Sequence, residues 1–331
     1  MRNLSVTREE EGQRLLRYLS RVMPQAPASF FHKMLRKKNI TLNGKRADGS
    51  EALRTGDEVK LFLAEETIDK FAGTPPRPEA VRASGPLTVL YEDADILIAD
   101  KPAGLLTQKA AAGDDSLNDR LLSYLKASGA WRGDGTDRFT PSAANRLDRN
   151  TSGLVACGKT VRGLQYLSEV FRERTGEKTY VALARGRGIP EGVQTGWLTK
   201  EEASNTVTLT ANERPGAHEV RTGIRVLAEA KDVSLLELEL ITGRTHQLRA
   251  QLSAMGHPLL GDAKYGGAVP GVRRQMLHAW RLSLPAQGPD GKAVTVSSPL
   301  PAEVRTIMEK QGEWTWRPGT AEACAALISK K

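Results

Sequence analysis

Residues 65–86 carry Gly73, Pro75, Pro76, Pro78, Gly85 and Pro86 among charged residues, and that composition sets the tightest limit on how the chain can fold. Proline removes a backbone donor and glycine loosens the chain, so the segment resists packing and reads as a linker. It divides the 331 residues into a short piece, 1–64, and a long one, 87–318, followed by a tail at 319–331. The length fits about two domains, each large enough to bury a core of its own.

The short piece reads as a small α/β module. Leu15, Leu16 and Leu19 mark an amphipathic helix, Phe30 to Arg36 a second, and short strands follow, ending in Glu58-Val59-Lys60-Leu61. Asn43-Gly44 and Asp48-Gly49 supply the turn chemistry between those strands. Lys33, Arg36, Lys37, Lys38, Lys45 and Arg46 fall between positions 33 and 46 without one acidic residue. A helix and turn so charged can contact several phosphates, although a solvated basic face has the same composition. The net charge of +9 and pI near 9.6 favour a polyanionic partner and leave RNA, DNA and acidic membranes open.

In the long piece, strand and helix patterns alternate without the regular spacing of a doubly wound sheet, which points to an α+β domain on a mostly antiparallel or mixed sheet. Leu236, Leu238 and Leu240 alternate with Glu237 and Glu239, the period of a half-buried strand. Thr242-Gly243 then turns the chain into a helix over 245–255, with Leu248, Leu252 and Met255 on its buried stripe and Gly256 and Pro258 ending it. Leu117, Leu121 and Leu125 mark one further helix, and Leu164, Leu167 and Phe171 another after the strand Leu154 to Cys157. No Gly-rich phosphate loop and no repeat of solenoid length occurs.

The run Asn145-Arg146-Leu147-Asp148-Arg149-Asn150-Thr151-Ser152-Gly153-Leu154 places one carboxylate between two guanidinium groups before a small-residue turn. Flanking cations favour the ionised carboxylate and also grip phosphate, which suits a nucleophile acting on nucleic acid. Taken alone, the run equally fits a solvated turn with surface ion pairs. Three further segments accompany it in order: Tyr91-Glu92-Asp93 to Lys101-Pro102-Ala103-Gly104-Leu105, Glu177-Lys178-Thr179-Tyr180, and Gly243-Arg244-Thr245-His246-Gln247-Leu248-Arg249. Gly256-His257-Pro258 and Gly261-Asp262-Ala263-Lys264-Tyr265-Gly266 complete the set.

Together these segments resemble the large-subunit ribosomal pseudouridine synthase family of the RluA type, over roughly residues 86–310. One departure is Asn145, where many members carry His. The resemblance implies the pseudouridine synthase fold, a bent central sheet crossed by an RNA-binding cleft. It implies Asp148 as catalytic nucleophile, Arg249 as its ion-pair partner and Tyr180 as the aromatic group against the uracil, with help in removing the proton from carbon 5 left open as a second role. No cofactor is expected, because isomerising uridine oxidises nothing and carries nothing. Extruding a base from folded RNA calls for a group that braces the gap or holds the backbone, and Arg146 is the candidate, with Arg149, Lys178 and Arg244 as further phosphate contacts. The short piece, with Lys33, Arg36, Lys37 and Lys38, is similar to the RNA-binding domain called S-four, which points toward large-subunit rRNA, 23S in bacteria, rather than tRNA.

Other classes remain open at the level of residues. A non-catalytic RNA-binding or ribosome-assembly factor would use the basic module alone, and a metal-dependent nuclease would need carboxylates beside Asp148, for which only Asp100 and Asp262 lie in the quoted segments. His246 reads as a hydrogen-bonded structural histidine, and no metal site is expected. Cys157 and Cys324 read as ordinary thiols. No apolar run reaches the roughly 18 residues of a membrane span, so a cytoplasmic protein without a membrane partner is expected, with a monomer favoured. Trp314 and Trp316 fit either an interaction patch or the border of a core.

Overall fold

The computed structural model describes residues 1–72, 85–111, 113–133, 139–201, 206–287 and 291–320. The chain forms two units, each drawn from separated segments. Met1–Ile98, Gln108–Arg146 and Ala156–Glu169 make the first, and Ala99–Thr107, Leu147–Val155 and Val170–Lys331 the second.

The first unit opens with β1 (Arg2–Ser5), α1 (Leu15–Val22), α2 (Ala28–Arg36), β2 (Ile40–Leu42), β3 (Lys45–Arg46), β4 (Glu58–Leu61) and α3 (Glu65–Ala72). The strands form an antiparallel sheet in the order β1-β4-β2-β3. Asn43 and Gly44 join β2 to β3 at φ of 50° and 72°, the left-handed backbone that a two-residue hairpin requires and that these residue types tolerate. Leu15, Leu19, Phe31, Leu35, Val59 and Leu61 meet in one core. α3 corrects the expected linker: Ile68 is fully buried in that core and Phe71 packs against it, so residues 65–72 close the module instead of leaving it. One apolar pair at helical spacing outweighs the acidic residues around it. Residues 73–84 of the expected linker and 321–331 of the expected tail lie outside the described residues.

The first unit also takes β5 (Thr88–Glu92), the first half of β6 (Ile96–Lys101), α4 (Leu117–Ala127), β7 (Ser142–Ala143), the end of β8 (Ser152–Gly158) and much of α5 (Val161–Glu173). The Ser116 hydroxyl caps α4 by accepting the Asp119 N–H at 3.3 Å, and Leu117, Leu121 and Leu125 are buried as their spacing requires.

The second unit holds β9 (Glu177–Arg185), β10 (Gly192–Glu201), β11 (Thr206–Thr210), β12 (His218–Glu229), β13 (Val233–Leu240), α6 (Gln247–Ala254), β14 (Leu277–Leu284), β15 (Val294–Ser297), α7 (Ala302–Lys310) and β16 (Thr315–Trp316). Its strands run β11-β10-β12-β13-β9-β14 as antiparallel neighbours, and β14 then pairs in parallel with the start of β8. The fold is α+β on a mixed sheet, as the sequence predicts. Val304, Ile307 and Met308 of α7 pack on Leu183, Leu235 and Trp280, with Trp314 and Trp316 against the same core, so both tryptophans border a core.

Two expectations shift in detail. In β13 Leu236 and Leu238 are buried while Glu237 and Glu239 are not, as predicted, but Val233 to Leu236 are buried in succession, and the half-buried Glu237 is met by Arg225 at 2.8 Å. α6 starts and stops inside the predicted bounds, and it buries polar Gln247, Arg249 and Gln251 as well as its leucines, while Met255 is only half-buried. A helix that buries polar groups on several sides is one whose polar groups have assigned partners.

Candidate active site

Asp148 sits at the head of a tight turn, with the Thr151 N–H donating to the Asp148 carbonyl at 3.1 Å. Backbone hydrogen bonds lock that turn from both sides. The Leu147 N–H donates to the Thr107 hydroxyl, which donates in turn to the Leu147 carbonyl, each at 3.1 Å. The Arg149 carbonyl accepts the Gly104 N–H at 2.8 Å and the Lys101 ammonium at 3.0 Å. Lys101 is fully buried and gives its other hydrogens to the carbonyls of Leu105 and Pro102 at 2.8 and 3.0 Å. Burial pulls its pKa down to about 7 against the opposing Asp148 charge. The Lys-Pro pair in the sequence is therefore a knot that ties two loops together.

The Ser152-Gly153 pair of the same run also turns out to be scaffold. Ser152 lies opposite His278 across the parallel β8–β14 pairing, and its hydroxyl is 3.0 Å from His278 Nδ1. Gly153 has a φ of 109°, and a Cβ there would stand 2.1 Å from the Ala279 carbonyl oxygen, so only glycine lets the strands meet. Burial presses the His278 imidazole down to about 4, which keeps it neutral.

The carboxylate of Asp148 remains about a quarter exposed and meets one strong partner: Arg249 Nη1 donates to Oδ2 at 2.8 Å. Arg249 is itself buried, and its remaining fork is filled by Asp262, with Nε donating to Oδ2 at 2.7 Å and Nη2 to Oδ1 at 2.9 Å. Burial opposes the guanidinium charge, and the two carboxylates outweigh it, so the pKa of Arg249 lies above its ordinary value. A planar guanidinium is the one side chain that can present a two-pronged bond to one carboxylate and a third donor to another. Asp262, which reads in the sequence as a poor metal candidate, is the anchor of that fork. The Gly-Asp step before a 3-10 turn was its only signal.

α6 is fixed from behind by a closed polar network. The Gln247 amide oxygen accepts from the Thr242 hydroxyl at 2.9 Å and the Arg244 N–H at 3.1 Å, while its nitrogen donates to the Arg221 carbonyl and the Thr222 hydroxyl. His246, at the start of the helix in a left-handed conformation (φ 53°), places Nε2 3.8 Å from Asp148 Oδ2 and Nδ1 2.9 Å from the Tyr265 hydroxyl. Tyr180 lies on β9 between Leu238 of β13 and Ala279 of β14, and it is buried. Burial and then the Asp148 charge push its phenol well above the ordinary value, so it holds its proton at neutral pH.

Of the cations expected to meet RNA, Arg149 and Arg244 of this unit are exposed, with no side-chain partner among the described residues. Lys178 is half-buried, with Nζ 4.9 Å over the Phe171 ring; burial, and then Arg174, lower its pKa. In the first unit Arg146 is exposed, and so are Lys33, Arg36, Lys37 and Lys38. Cys157 is buried and its thiol is pushed up to about 12, that of an inert core residue.

A family model described as RNA pseudouridylate synthase matches residues 95–254. An uncharacterised RNA pseudouridine synthase of Mycoplasma genitalium is 31% identical over 290 residues, which cover 85% of this chain and 88% of that protein. The chain belongs to the RNA pseudouridine synthase family. The ribosomal large subunit pseudouridine synthase C of Vibrio cholerae is 28% identical over 93% of this chain and 96% of its own length. Among solved structures, human RNA pseudouridylate synthase domain containing 1 aligns with a TM-score of 0.55 and 25% identity, over 73% of this chain and 94% of that one. The synthase is an isomerase that acts on RNA: the bond from sugar to ring nitrogen breaks, the bond from sugar to carbon 5 forms, and the proton on carbon 5 is exchanged for one on the freed nitrogen.

Proposed function

We propose that the synthase isomerises specific uridines of large-subunit (23S) ribosomal RNA, with Asp148 as the nucleophile. The observation that carries the reading is the Arg249 fork, which joins Asp148 at 2.8 Å while Asp262 fills its other nitrogens. Such a fork leaves one carboxylate partly open to solvent and fixes its direction, which is the requirement for an oxygen that must reach a base or sugar carbon. Tyr180, protonated at neutral pH, serves by ring contact with the uracil rather than as a resting base. Arg149, Arg244 and Lys178 contact phosphates, and Arg146 braces or grips the RNA from which the uridine is extruded. The sequence names of relatives that act on the ribosomal large subunit favour rRNA over tRNA.

The module over residues 1–72 acts as an S-four-like RNA grip through Lys33, Arg36, Lys37 and Lys38, and the enzyme works as a cytoplasmic monomer where rRNA is made. The test is incubation of unmodified large-subunit rRNA and, separately, tRNA with the parent and with Asp148→Asn, followed by reverse-transcription mapping of pseudouridine in the presence of a chelator. Conversion of discrete rRNA uridines by the parent alone is expected, with RNA affinity of the variant within a few-fold. Substantial turnover by Asp148→Asn removes the nucleophile, and conversion confined to tRNA removes the rRNA assignment.

A further inference from the structure

Two nitrogens face Asp148, and both approach the same oxygen. Arg249 Nη1 bonds Oδ2 at 2.8 Å and His246 Nε2 stands 3.8 Å from that Oδ2. Among the described residues nothing donates to Oδ1. The far side of the imidazole is held as well: Nδ1 lies 2.9 Å from the Tyr265 hydroxyl, and that oxygen accepts the Val207 N–H of β11 at 3.1 Å. The two rings meet edge to face with centroids 5.6 Å apart.

Among the described residues, the hydrogens of this relay have one arrangement that gives each a partner. Val207 has a single amide hydrogen, and it goes to the Tyr265 oxygen. Tyr265 has a single hydroxyl hydrogen, and the only other acceptor beside it among the described residues is His246 Nδ1. Nδ1 therefore accepts, and in a neutral imidazole the hydrogen must then sit on Nε2, the nitrogen that faces Asp148. Were Nδ1 the donor instead, the phenolic hydrogen would be left without an acceptor among the described residues. His246 also occupies a left-handed backbone conformation (φ 53°, ψ 17°) that a non-glycine residue adopts at a cost, and that twist aims its ring between Tyr265 and Asp148.

We infer that His246 is a positioning residue whose Nε2–H, set by the Tyr265 hydroxyl, joins Arg249 in holding Oδ2 of Asp148, so that Oδ1 is the oxygen left to react. At 3.8 Å the His246 contact is longer than a hydrogen bond, and it closes when substrate displaces water from the site. This inference rests on Asp148 being the nucleophile. The groups facing the imidazole are Asp148, Arg249, Lys264, Asp262 and Tyr265; burial lowers its pKa first, Arg249 and Lys264 add to that, and the two carboxylates oppose it. The Tyr265 hydrogen adds a further brake, because protonating Nδ1 would turn an acceptor into a donor against a hydroxyl that already accepts from Val207.

The experiment uses full-length enzyme labelled with nitrogen-15 histidine and unmodified large-subunit rRNA. Nitrogen shifts of His246, assigned by loss of its signals in His246→Gln, report the tautomer without any RNA; the Nε2–H form is expected, and the Nδ1–H form overturns the inference even if every other variant fails to fold. Tyr265→Phe keeps the ring beneath the Arg249 guanidinium, 5.0 Å from its centroid, and deletes only the hydroxyl. It should lower kcat about 10- to 100-fold, the range expected when a reacting group is slightly misplaced, with KM within a few-fold. His246→Gln, which keeps a donor near the Nε2 position, should recover part of what His246→Ala loses. A Tyr265→Phe enzyme with the parent's kcat overturns the inference. Turnover by Asp148→Asn would instead sink the nucleophile reading and leave the tautomer result standing.

Discussion

The two charged regions of this molecule use their cations in opposite ways. In the second unit Arg249 is buried, and all three of its donor directions that the structure records end on carboxylates, Asp262 and Asp148. In the first unit Lys33, Arg36, Lys37 and Lys38 stand exposed on and just after α2, with no carboxylate partner among the described residues. A buried charge is bound to its partners by the cost of leaving any of them alone, whereas an exposed one is held by nothing and serves whatever anion arrives. Chemistry needs the first kind, because direction matters there. Grip needs the second, because counterions must be free to leave.

The largest effect should follow from breaking the buried fork. Asp262→Asn replaces one acceptor oxygen by a donor facing the Arg249 fork, which leaves a buried cation short of one bond. We expect a stability loss of about 3–5 kcal/mol by urea unfolding and a fall in turnover of about 100-fold as Arg249 swings off Asp148. A variant with parental unfolding midpoint and turnover would show that the fork does not orient Asp148.

These two regions also differ in how much of them the sequence reveals. The basic run on α2 is legible by counting, since exposed charges need no partner to make sense. The strand and helix periods of both units are likewise local, and the mixed α+β fold follows from them. The fork is different. Arg249 and Asp262 are thirteen positions apart, and Asp148 is 101 positions from Arg249, so their meeting depends on how β8, β9, β13 and β14 order themselves. Lys101 shows the same limit: one lysine at the end of β6 carries no hint that three carbonyls from two loops wait for it. α3 is hidden in the sequence for the converse reason, because a composition rich in charge, proline and glycine masks one apolar pair at helical spacing.

A buried group that is neutral makes an intermediate case. His278 pairs with Ser152, and burial holds its pKa at about 4 against an ordinary 6.5. The unfolded chain therefore binds a proton between those values that the folded chain refuses, so stability is full above about pH 6.5 and is lost as the pH falls toward 4. At about 1.4 kcal/mol per pH unit, the loss attributable to this residue is about 3 kcal/mol. Carboxylates such as Asp95, whose pKa lies below its ordinary value, add their own loss in acid, so the quantity to measure is the difference between parent and His278→Gln across pH 4 to 7. The variant's stability should depend less steeply on pH in that window. Parallel curves would mean that the imidazole keeps its ordinary basicity inside the fold.

The smallest effect on the fold, and the one that tests the exposed side of the comparison, comes from changing Lys33, Arg36, Lys37 and Lys38 together to Gln. All four side chains are exposed, while Phe31, Met34 and Leu35 of the same helix are the buried ones, so the unfolding midpoint should stay within about 0.5 kcal/mol of the parent. Binding should respond. Each phosphate contact that disappears takes with it about 0.9 of a unit from the slope of log affinity against log salt for duplex nucleic acid, and about 0.7 for single strands. At moderate salt RNA affinity should fall about tenfold, and the salt dependence should become shallower. Turnover at saturating rRNA should be unaffected, since none of the four belongs to the Asp148 fork. Titrations of rRNA at several salt concentrations decide the matter. An unchanged slope with intact folding would leave α2 a solvated basic face and assign the grip to Arg149, Arg244 and Lys178, and a loss of turnover at saturation would mean that charge on this module reaches the chemistry after all.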